Sequence, residues 1–342
     1  MKLPTISFII PTFNSEKTIE VCLLSIFSQE YPKSNIEVIF GDGGSKDRTL
    51  QIAKKYNVKI VTVTSKKQGP EYNRASAAHK ATGEILAFLD HDNILPHPLW
   101  LSKMVTPFLV DKEIVGVETL RYAYDPKDPP LARYFSLLCA NDVLPFYLGK
   151  ADRISYMFDS PKDYGVYKKA KVEEKETYYQ VLFARDEVPT LGSNGFLIQK
   201  SLLFAHAKTD PELFFHIDVN VDLIRKGFKK YALVKDTIIH GTSERGIINY
   251  LKRRALFVGK YHLQDMAHRR YSVYEKKDFF RLLVFLVIAL TFVKTFIDSL
   301  RGFMKVRDAA WFLHPIITFL LFIVYAYTIT AHYATKYGKK LF

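Results

Sequence analysis

Two aspartates lie one residue apart, directly after a run of apolar residues. Asp90 and Asp92 flank His91 and follow residues 85–89, whose composition is that of a short buried strand. Carboxylates at the mouth of a buried strand are costly unless a cation offsets their charge. Oxygen ligands suit Mg²⁺ or Mn²⁺, ions that commonly join protein carboxylates to the phosphates of a nucleotide. The pattern favours a divalent metal site, and a pair of solvated loop aspartates is the alternative with the same spacing.

Strand-like and helix-like segments alternate through the first 120 residues and must position this pair. Runs of β-branched and aromatic residues predict four strands, at residues 7–10, 36–40, 58–63 and 85–89. Three helices are predicted between them: one at residues 47–56, one at 71–81, and an amphipathic one with Asn14 or Ser15 as N-cap and an apolar face of Ile19, Cys22, Leu23, Ile26 and Phe27. This alternation implies βαβ units, hence a parallel sheet with ligands at the carboxyl ends of its strands.

The composition is that of a folded protein with a basic end. The chain has 342 residues, 48% of them hydrophobic and 14% aromatic, which is enough apolar material for a sizeable core. Residues 1–251 carry 33 Lys and Arg against 30 Asp and Glu, so +11 of the net charge of +14 lies in residues 252–342. A basic excess at one end, beside long apolar runs, favours anionic lipid head groups over a nucleic-acid groove. We therefore expect a membrane partner and no nucleic acid.

Two apolar segments near the C-terminus are candidates for membrane helices. Residues 309–331 hold no Lys, Arg, Asp or Glu over 23 positions, enough to cross a hydrocarbon core of about 30 Å. Residues 279–297 have an uncharged apolar part of only 12 residues, so they either span the bilayer or lie in its interface. If both segments span, they form a helical hairpin that keeps the basic residues 252–281 on the cytosolic side, in accord with the positive-inside bias.

These features divide the chain into a globular domain at residues 1–250, a basic juxtamembrane helical segment at 251–278, and a membrane segment at 279–342. Residues 121–190 break the alternation and are rich in Tyr, Pro and charge. We interpret them as an insertion that shapes an acceptor site, the alternative being a packing elaboration. Two cysteines are too few for a disulfide framework, and no apolar signal segment precedes the first strand. Both observations favour a globular domain that stays in the cytosol.

Three motifs, each after a predicted strand, identify a family resemblance. They are Pro11-Thr12-Phe13-Asn14, Asp42-Gly43-Gly44-Ser45-Lys46-Asp47 and Asp90-His91-Asp92, and with them the chain resembles the family 2 glycosyltransferases. Two further stretches are similar to that family's pattern: Gln68-Gly69-Pro70 followed by Asn73-Arg74, and Thr82-Gly83-Glu84. The resemblance covers roughly residues 4–245. It implies an α/β domain of the Rossmann-like GT-A fold, to which the apolar segments would add a C-terminal membrane hairpin.

The resemblance also implies a nucleotide diphosphate sugar as donor and Mn²⁺ or Mg²⁺ as cofactor. Asp90 would reach the ribose or the metal, Asp92 the metal, and His240 would complete the metal shell unless it is merely structural. The whole set of expected donor-binding residues is Pro11, Thr12, Asn14, Asp42, Gly43, Arg74 and Asp90. For Asp42 and its glycines the alternative is a tight turn capped at Ser45. The family commonly has two acids where this chain has Asp42-Gly43.

The second half of the chain supplies the predicted catalytic base. Residues 191–196 look like the family's loop beside the donor sugar, and Ile217-Asp218 stands where the family has a Glu-Asp pair. An inverting transfer needs a base on the acceptor hydroxyl. We predict Asp218 for this role, with Asp222 and His216 as alternates and an N-cap of the following helix as the structural alternative for Asp218.

We therefore expect a membrane-associated, metal-dependent, inverting glycosyltransferase of cell envelope glycan biosynthesis. It would move a sugar to a lipid-linked acceptor at the cytosolic face of the cytoplasmic membrane. One alternative is a polyprenyl-phosphate glycosyltransferase of the dolichyl-phosphate-sugar synthase type, whose already ionised acceptor needs no base. A small polysaccharide synthase would need more spanning helices and usually a Gln-x-x-Arg-Trp motif, which this chain lacks. A non-catalytic scaffold on the same fold would have lost the acids, which are present.

Overall fold

The computed structural model describes residues 2–63, 69–241, 246–264, 269–271 and 278–338. The chain forms two compact units. The first comprises residues 1–123, 152–154 and 160–241, and the second comprises residues 124–151, 155–159 and 242–342. The stretch that the sequence marks as an insertion, residues 121–190, is thus divided between the two units.

The first unit is built on one sheet in the order β3-β2-β1-β4-β9-β6-β10-β8-β7, with β5 paired to β10. The strands are β1 (Ile6–Thr12), β2 (Ile36–Asp42), β3 (Lys59–Thr62), β4 (Ile85–Phe88), β5 (Asn93–Ile94), β6 (Gly116–Tyr122), β7 (Lys171–Glu174), β8 (Tyr178–Leu182), β9 (Phe196–Gln199) and β10 (Lys230–His240). The four predicted strands are β1 to β4. They are mutually parallel, as helices connect them.

The parallel arrangement predicted for the first 120 residues is confirmed for β1 to β4, and later strands make the complete sheet mixed. β9 runs antiparallel to β4 and β6, and β8 runs antiparallel to both β10 and β7. The physical reason is the connection: β7 and β8 form a hairpin, closed by a hydrogen bond from the Lys175 N–H to the Tyr178 carbonyl, and a short turn can join only antiparallel strands. The ends of β1, β2 and β4 still meet at one edge, where the three motifs lie.

Six helices belong to the first unit: α1 (Ile19–Phe27), α2 (Thr49–Lys55), α3 (Pro70–Ala78), α4 (Trp100–Val110), α7 (Lys200–His206) and α8 (His216–Arg225). α1 buries Ile19, Cys22, Leu23 and Ile26 of the predicted apolar face, while Phe27 is half-buried. Its N-cap is Thr18 instead of Asn14 or Ser15, because the Ser15 carbonyl accepts the N–H groups of Thr18 and Ile19 in a separate turn before the helix.

Close packing of α3 on β2 sets the edge of the sheet. A Cβ on Gly41 would lie 1.9 Å from the carbonyl oxygen of Asn73, so only glycine fits at this position. Pro70 occupies the first turn of α3, where its missing N–H costs nothing. The contact places Asn73 and Arg74, which follow each other in α3, beside the carboxyl end of β2.

The α-helices in the described part of the second unit are α5 (Pro130–Leu138), α6 (Val143–Tyr147), α9 (Ile247–Phe257), α10 (Phe279–Thr291), α11 (Val293–Lys305) and α12 (Leu313–Gly338). Residues 124–151 pack with the C-terminal helices through buried polar pairs. The Nδ1 and Nε2 atoms of His314 lie 2.7 Å from the hydroxyls of Tyr134 and Tyr147 respectively. Arg254, in the basic segment predicted at residues 251–278, pairs with Asp142.

One helix of the described residues is long and apolar enough to cross a membrane, at Ala309–Thr335. The other predicted segment, residues 279–297, is not one straight helix. α10 ends at Thr291, Phe292 adopts a left-handed conformation with φ 61°, and α11 continues at an angle of 80° to α10. The two helices could count as a second crossing only as a broken span. The structure therefore contains one straight candidate span, and the membrane hairpin stays a prediction.

Candidate active site

Asp42 ends β2 and is fully buried. Its Oδ1 accepts the hydroxyls of Thr12 at 3.0 Å and Ser45 at 2.5 Å, and its Oδ2 accepts the N–H groups of Gly44 and Ser45, both at 2.9 Å. Both carboxylate oxygens are thus occupied by the turn that Asp42 begins. The tight turn that the sequence left open as an alternative is present. For Asp42 to bind the donor through its carboxylate, as expected, one of these hydrogen bonds would have to open.

The loops after β1 and β2 are tied together by Asn14. Its backbone N–H donates to Ser45 Oγ at 2.9 Å, and its Oδ1 accepts the N–H of Lys46 at 2.8 Å. Phe13, next to it, leaves 56% of its surface exposed. A Cβ on Gly43 would lie 2.9 Å from Asn73 Nδ2 and 3.5 Å from the Phe13 ring, so the glycine keeps a narrow space open beside an exposed aromatic face.

Arg74 is the centre of a buried charge network. Its guanidinium lies 3.0 Å from Glu71 and 3.0 Å from Asp90, and its Nη1 lies 3.3 Å from Nδ1 of His216. Burial alone would lower the pKa of Arg74, but the two carboxylates raise it, so the group stays charged. The network places an obligate cation beside Asp90, whose side chain is 31% exposed. Asp90 Oδ2 accepts no hydrogen bond within the described residues.

Asp92 and His240 are brought together by a short strand pair. β5 pairs with β10 so that Asn93 faces His240, and the Gly241 N–H donates to the Asp92 carbonyl at 2.8 Å. The carboxylate Oδ1 of Asp92 then lies 4.0 Å from His240 Nε2, and both side chains are mostly buried. His240 Nδ1 is buried and has no hydrogen-bond partner in the described part of the chain.

The acids fit a metal that is completed by substrate. Within the described ranges, no three His, Cys, Asp or Glu side chains stand close enough to hold an ion by themselves. Mg²⁺ and Mn²⁺ in nucleotide sites are commonly bound by one or two carboxylates together with substrate phosphates. Asp92, lacking any hydrogen bond to its carboxylate from the described residues, and the open oxygen of Asp90 fit this arrangement, and His240 lies beside Asp92.

The candidate bases lie on α8. Asp218 is in the first turn, fully buried, and Phe215 occupies the N-cap, so Asp218 is not the N-cap. Asp222 accepts the N–H of Lys208 at 3.0 Å. His216 is the first residue of α8 and is 20% exposed, with Nδ1 2.7 Å from Glu71 Oε1. The structure therefore brings His216 into the network of Arg74.

A buried ion pair that the sequence did not reveal lies next to the loop at residues 191–196. Arg153 and Glu118 are 2.9 Å apart and fully buried. Arg153 also donates to the Asn194 carbonyl at 2.6 Å and to the Tyr122 hydroxyl at 3.2 Å, and its guanidinium lies 4.4 Å from the centre of the Tyr122 ring. Tyr122 also contacts His240, since their ring centres lie 5.5 Å apart. Tyr122 therefore lies between Arg153 and His240.

Phe13 and Arg153 are the site residues that sequence reasoning missed. Phe13 stands inside a quoted motif, and an aromatic residue at a strand end was the available signal. Arg153 lies in an irregular stretch between the helical segments, with no periodicity or motif around it. Its role depends on a partner 35 residues away in β6, which no local pattern predicts.

A family model described as Glycosyl transferase family 2 matches residues 7–172, a range that contains all three motifs. Residues 7–172 are thus assigned to glycosyl transferase family 2. This enzyme assignment agrees with the resemblance read from the motifs, and the predicted α/β fold of the GT-A type is confirmed. A solved mannosyltransferase, PcManGT from Pyrobaculum calidifontis in complex with GDP-Man and Mn²⁺, shares the fold with a TM-score of 0.52 and 15% identity, over 96% of this chain and 88% of that one.

Two curated relatives of this family 2 glycosyltransferase differ in how much of the chain they match. Glycosyltransferase AglE of Haloferax volcanii is 38% identical over 108 residues, which is 30% of this chain and 35% of that relative. The second is the dolichyl N-acetyl-alpha-D-glucosaminyl phosphate 3-beta-D-2,3-diacetamido-2,3-dideoxy-beta-D-glucuronosyltransferase of Methanococcus voltae. It is 24% identical over 94% of this chain and 95% of that relative. The chain spans only about a third of AglE and 16% of TarS of Staphylococcus aureus.

Proposed function

We propose that this family 2 glycosyltransferase transfers a sugar, with inversion, from a nucleotide diphosphate sugar to a lipid-linked acceptor at a membrane. The observation that carries the proposal is the cluster at the carboxyl ends of β1, β2 and β4. There the Arg74 cation, the open oxygen of Asp90 and the carboxylate of Asp92 stand at one edge of the sheet. Such an edge is where open α/β sheets bind nucleotides.

The donor would lie across the ends of β1 and β2. Phe13 offers an exposed ring on which a base can stack, and Gly43 leaves the backbone open to close approach. The expected backbone contacts of Pro11 and Thr12 are compatible with this position, because Thr12 is the last residue of β1. Asn14 would act by holding the two loops together.

The diphosphate would lie against Asp90, Asp92 and Arg74. When bound, a divalent cation would neutralise charge that develops on the leaving diphosphate. Asp92 and Asp90 would hold it, with His240 beside them. Arg74 orients Asp90 through their 3.0 Å contact, so the carboxylate is positioned for a cation before the donor arrives.

The geometry favours His216 as the base on an acceptor hydroxyl, although Asp218 was the prediction from sequence. Nδ1 of His216 lies 2.7 Å from Glu71, which can only accept, and 3.3 Å from Arg74, which can only donate. The shorter contact with Glu71 favours a neutral imidazole with its proton on Nδ1. Nε2 then carries the lone pair that a base needs. Asp218 is fully buried and would require a rearrangement to touch an acceptor.

Membrane attachment rests on the C-terminal helix and on the relatives. The Ala309–Thr335 helix is about 40 Å long at 1.5 Å per residue, more than a hydrocarbon core of about 30 Å. The Methanococcus voltae relative is named for a dolichyl-linked sugar phosphate acceptor. We propose the same class of acceptor here, used at the cytosolic face. A polyprenyl phosphate acceptor, which needs no base, is the second candidate, and the base variants in the Discussion separate the two.

The decisive experiment measures donor hydrolysis by the purified full chain across UDP- and GDP-sugars, with Mn²⁺, with Mg²⁺ and with chelator. We expect one donor to be hydrolysed only with the cation, and Asp92→Asn to lower that rate by about 100-fold or more. The matched control is Asp186→Asn, an aspartate whose side chain is 64% exposed. Full activity of Asp92→Asn, or equal activity in chelator, would contradict the metal assignment. Failure to bind any donor would contradict the proposed function itself.

A further inference from the structure

α11 buries its polar and small residues and exposes its large apolar ones. Its buried positions are the small and polar residues Thr295, Asp298, Ser299 and Gly302. Its exposed positions are large and apolar, namely Val293, Phe296, Ile297, Leu300 and Met304, which are between 40% and 75% exposed. A surface helix in water has the opposite arrangement, as α2 does with Ile52 and Ala53 buried and Gln51 and Lys54 exposed.

The inward face of α11 is fixed by specific contacts, so the orientation is not an accident of loose packing. The ring of Trp311 covers Gly302 so closely that a Cβ there would lie 2.4 Å from it. Ser299 Oγ lies 2.9 Å from the Trp311 carbonyl oxygen, and Asp298 accepts the hydroxyl of Tyr147 at 3.1 Å. Turning the apolar face inward would break all of these contacts.

The charges around the exposed apolar face have one sign. The three acids between residues 278 and 308 are Asp278, Asp298 and Asp308, and all are buried. The exposed or half-exposed charges on α11 and just beyond it are cationic: Lys294, Arg301, Lys305 and Arg307. Lys305 pairs with the exposed Asp159, and Lys294 with Asp298. An apolar stripe edged by cations matches the acyl and head-group layers of an anionic lipid surface.

Length and bend exclude a straight crossing. α10 and α11 have 13 residues each, about 20 Å at 1.5 Å per residue, which is short of a hydrocarbon core of about 30 Å. The 80° bend at Phe292 prevents them from adding their lengths along one direction. α10 also exposes large apolar residues, among them Phe280 and Val287. Both helices therefore suit one leaflet.

We propose that α11 lies in the plane of an anionic membrane surface, with its apolar face among the acyl chains of one leaflet and its cations among the head groups. This proposal rests on the proposed function and deepens its membrane attachment. Under this proposal, residues 279–305 do not form a second membrane crossing, and α11 is an interfacial helix instead. The partner is a bilayer rich in an anionic phospholipid, recognised through hydrocarbon and phosphate chemistry.

Depth measurements along α11 test the proposal. Ile297→Cys, Leu300→Cys and Met304→Cys would each carry an environment-sensitive fluorophore in the full chain, reconstituted in phosphatidylcholine vesicles with phosphatidylglycerol. We expect shallow nitroxide lipids to quench all three labels to the same degree, and more than deep nitroxide lipids do. A crossing helix would place residues 297 and 304 about 10 Å apart in depth. Val110→Cys, on α4 of the first unit and 70% exposed, is the unquenched control.

Each other outcome overturns the proposal. Quenching that is graded from residue 297 to 304 would show a crossing, absence of quenching would show a water-facing helix, and shielding that depends on protein concentration would show a second copy. Arg301→Glu should remove any gain in quenching that phosphatidylglycerol gives over phosphatidylcholine alone. An equal signal in both lipids for the native Arg301 would contradict the anionic partner. Donor hydrolysis measured on the same variants separates this proposal from the proposed function, because it should stay unchanged.

Discussion

The guanidinium of Arg153 lies 2.9 Å from the carboxylate of Glu118, and neither side chain has more than 1% of its surface exposed. A buried pair is costly to desolvate and does not by itself indicate net stabilisation. Burial raises the pKa of Glu118 well above its usual range, against the opposing effect of Arg153. The contacts of Arg153 with the Asn194 carbonyl and the Tyr122 ring indicate that the pair also positions these neighbours.

Arg153→Met should lower both stability and turnover. Removing Arg153 leaves the buried carboxylate of Glu118 without its cation, next to Asp152, which also pairs with Arg153. We expect this to cost about 3 kcal/mol in the free energy of unfolding. The loop that contains Asn194 and the ring of Tyr122 also lose a contact. We expect a lower melting temperature and a lower kcat for donor hydrolysis, with KM changing less.

The double variant Arg153→Met with Glu118→Leu separates positioning from stability. An apolar pair of similar volume should recover most of the lost melting temperature, since replacing a buried ion pair is often neutral. We expect kcat to stay low despite that recovery. If kcat returns together with the melting temperature, the pair has only a structural role.

The roles of His216 and Asp218 can be separated by acceptor chemistry. His216→Gln should reduce transfer to a hydroxyl acceptor by about 100-fold or more, because general base catalysis is lost. Donor binding, measured by calorimetry with the cation present, should stay within about twofold, because a general base acts on the acceptor proton and not on the donor. Asp218→Asn is the matched comparison on the same helix. If Asp218→Asn abolishes transfer and His216→Gln does not, the base is the one predicted from sequence.

The same two variants distinguish the two acceptor classes. A polyprenyl phosphate is already ionised at neutral pH and needs no base. Nearly native turnover of both variants with a polyprenyl phosphate, combined with no transfer by the native chain to a lipid-linked saccharide, would favour the second candidate function.

Phe13→Ala should weaken donor binding. Stacking of a base on an aromatic ring contributes roughly 1–3 kcal/mol, so KM for the donor should rise about 10-fold while kcat changes little. Phe13→Tyr keeps the aromatic face and should behave like the native chain. Val110→Ala, another exposed apolar residue, is the control. An unchanged KM in Phe13→Ala would exclude stacking on this ring.

Glu37 gives the first unit an acid-sensitive contribution to stability. Burial alone would raise the pKa of Glu37, but hydrogen bonds from Lys59, Ser7 and Thr82 lower it to about 2, against an ordinary value of 4.5. A lowered folded-state pKa stabilises the fold above 4.5, and this contribution is lost as the pH falls toward 2. Glu37→Gln should therefore reduce the melting temperature at pH 7.

The pH profile is the specific readout for Glu37. The difference in melting temperature between the native chain and Glu37→Gln should shrink as the pH falls from 4.5 toward 2. Glu212→Gln, at an exposed position, should show no such difference at any pH. A constant difference over this range would mean that packing, and not the ionised carboxylate, is what the substitution removes.

The sequence pattern was sufficient to predict those helices and strands that have a regular apolar periodicity of their own. β1 to β4 and α1 to α3 lie close to the predicted residues, because each has its own apolar periodicity and turn residues. The hairpin of β7 and β8 was not predicted, since its residues are rich in Lys, Glu and Tyr and lack a clear alternation. Its place in the sheet depends on pairing with β10, a distant strand.

The site residues within the motifs could be predicted from the sequence, whereas the contacts between distant residues could not. Asp90, Asp92 and Asn14 follow strands that sequence patterns reveal, so their common edge could be inferred. His216, a partner of Arg74, and Glu118, a partner of Arg153, are brought into contact by tertiary packing and lie far from those arginines in the sequence. The bend at Phe292 had no signal either, because neither glycine nor proline marks it.

The chain passes between its two units at five points, after residues 123, 151, 154, 159 and 241. A protein that stops after residue 241 would therefore keep residues 124–151 but lose the helices against which they pack. Tyr134 and Tyr147 would lose their shared imidazole partner, and the apolar surface around them would promote aggregation. Simple truncation is thus a poor route to a soluble catalytic fragment, and detergent or nanodisc preparations of the intact polypeptide are the better material for crystallisation or microscopy.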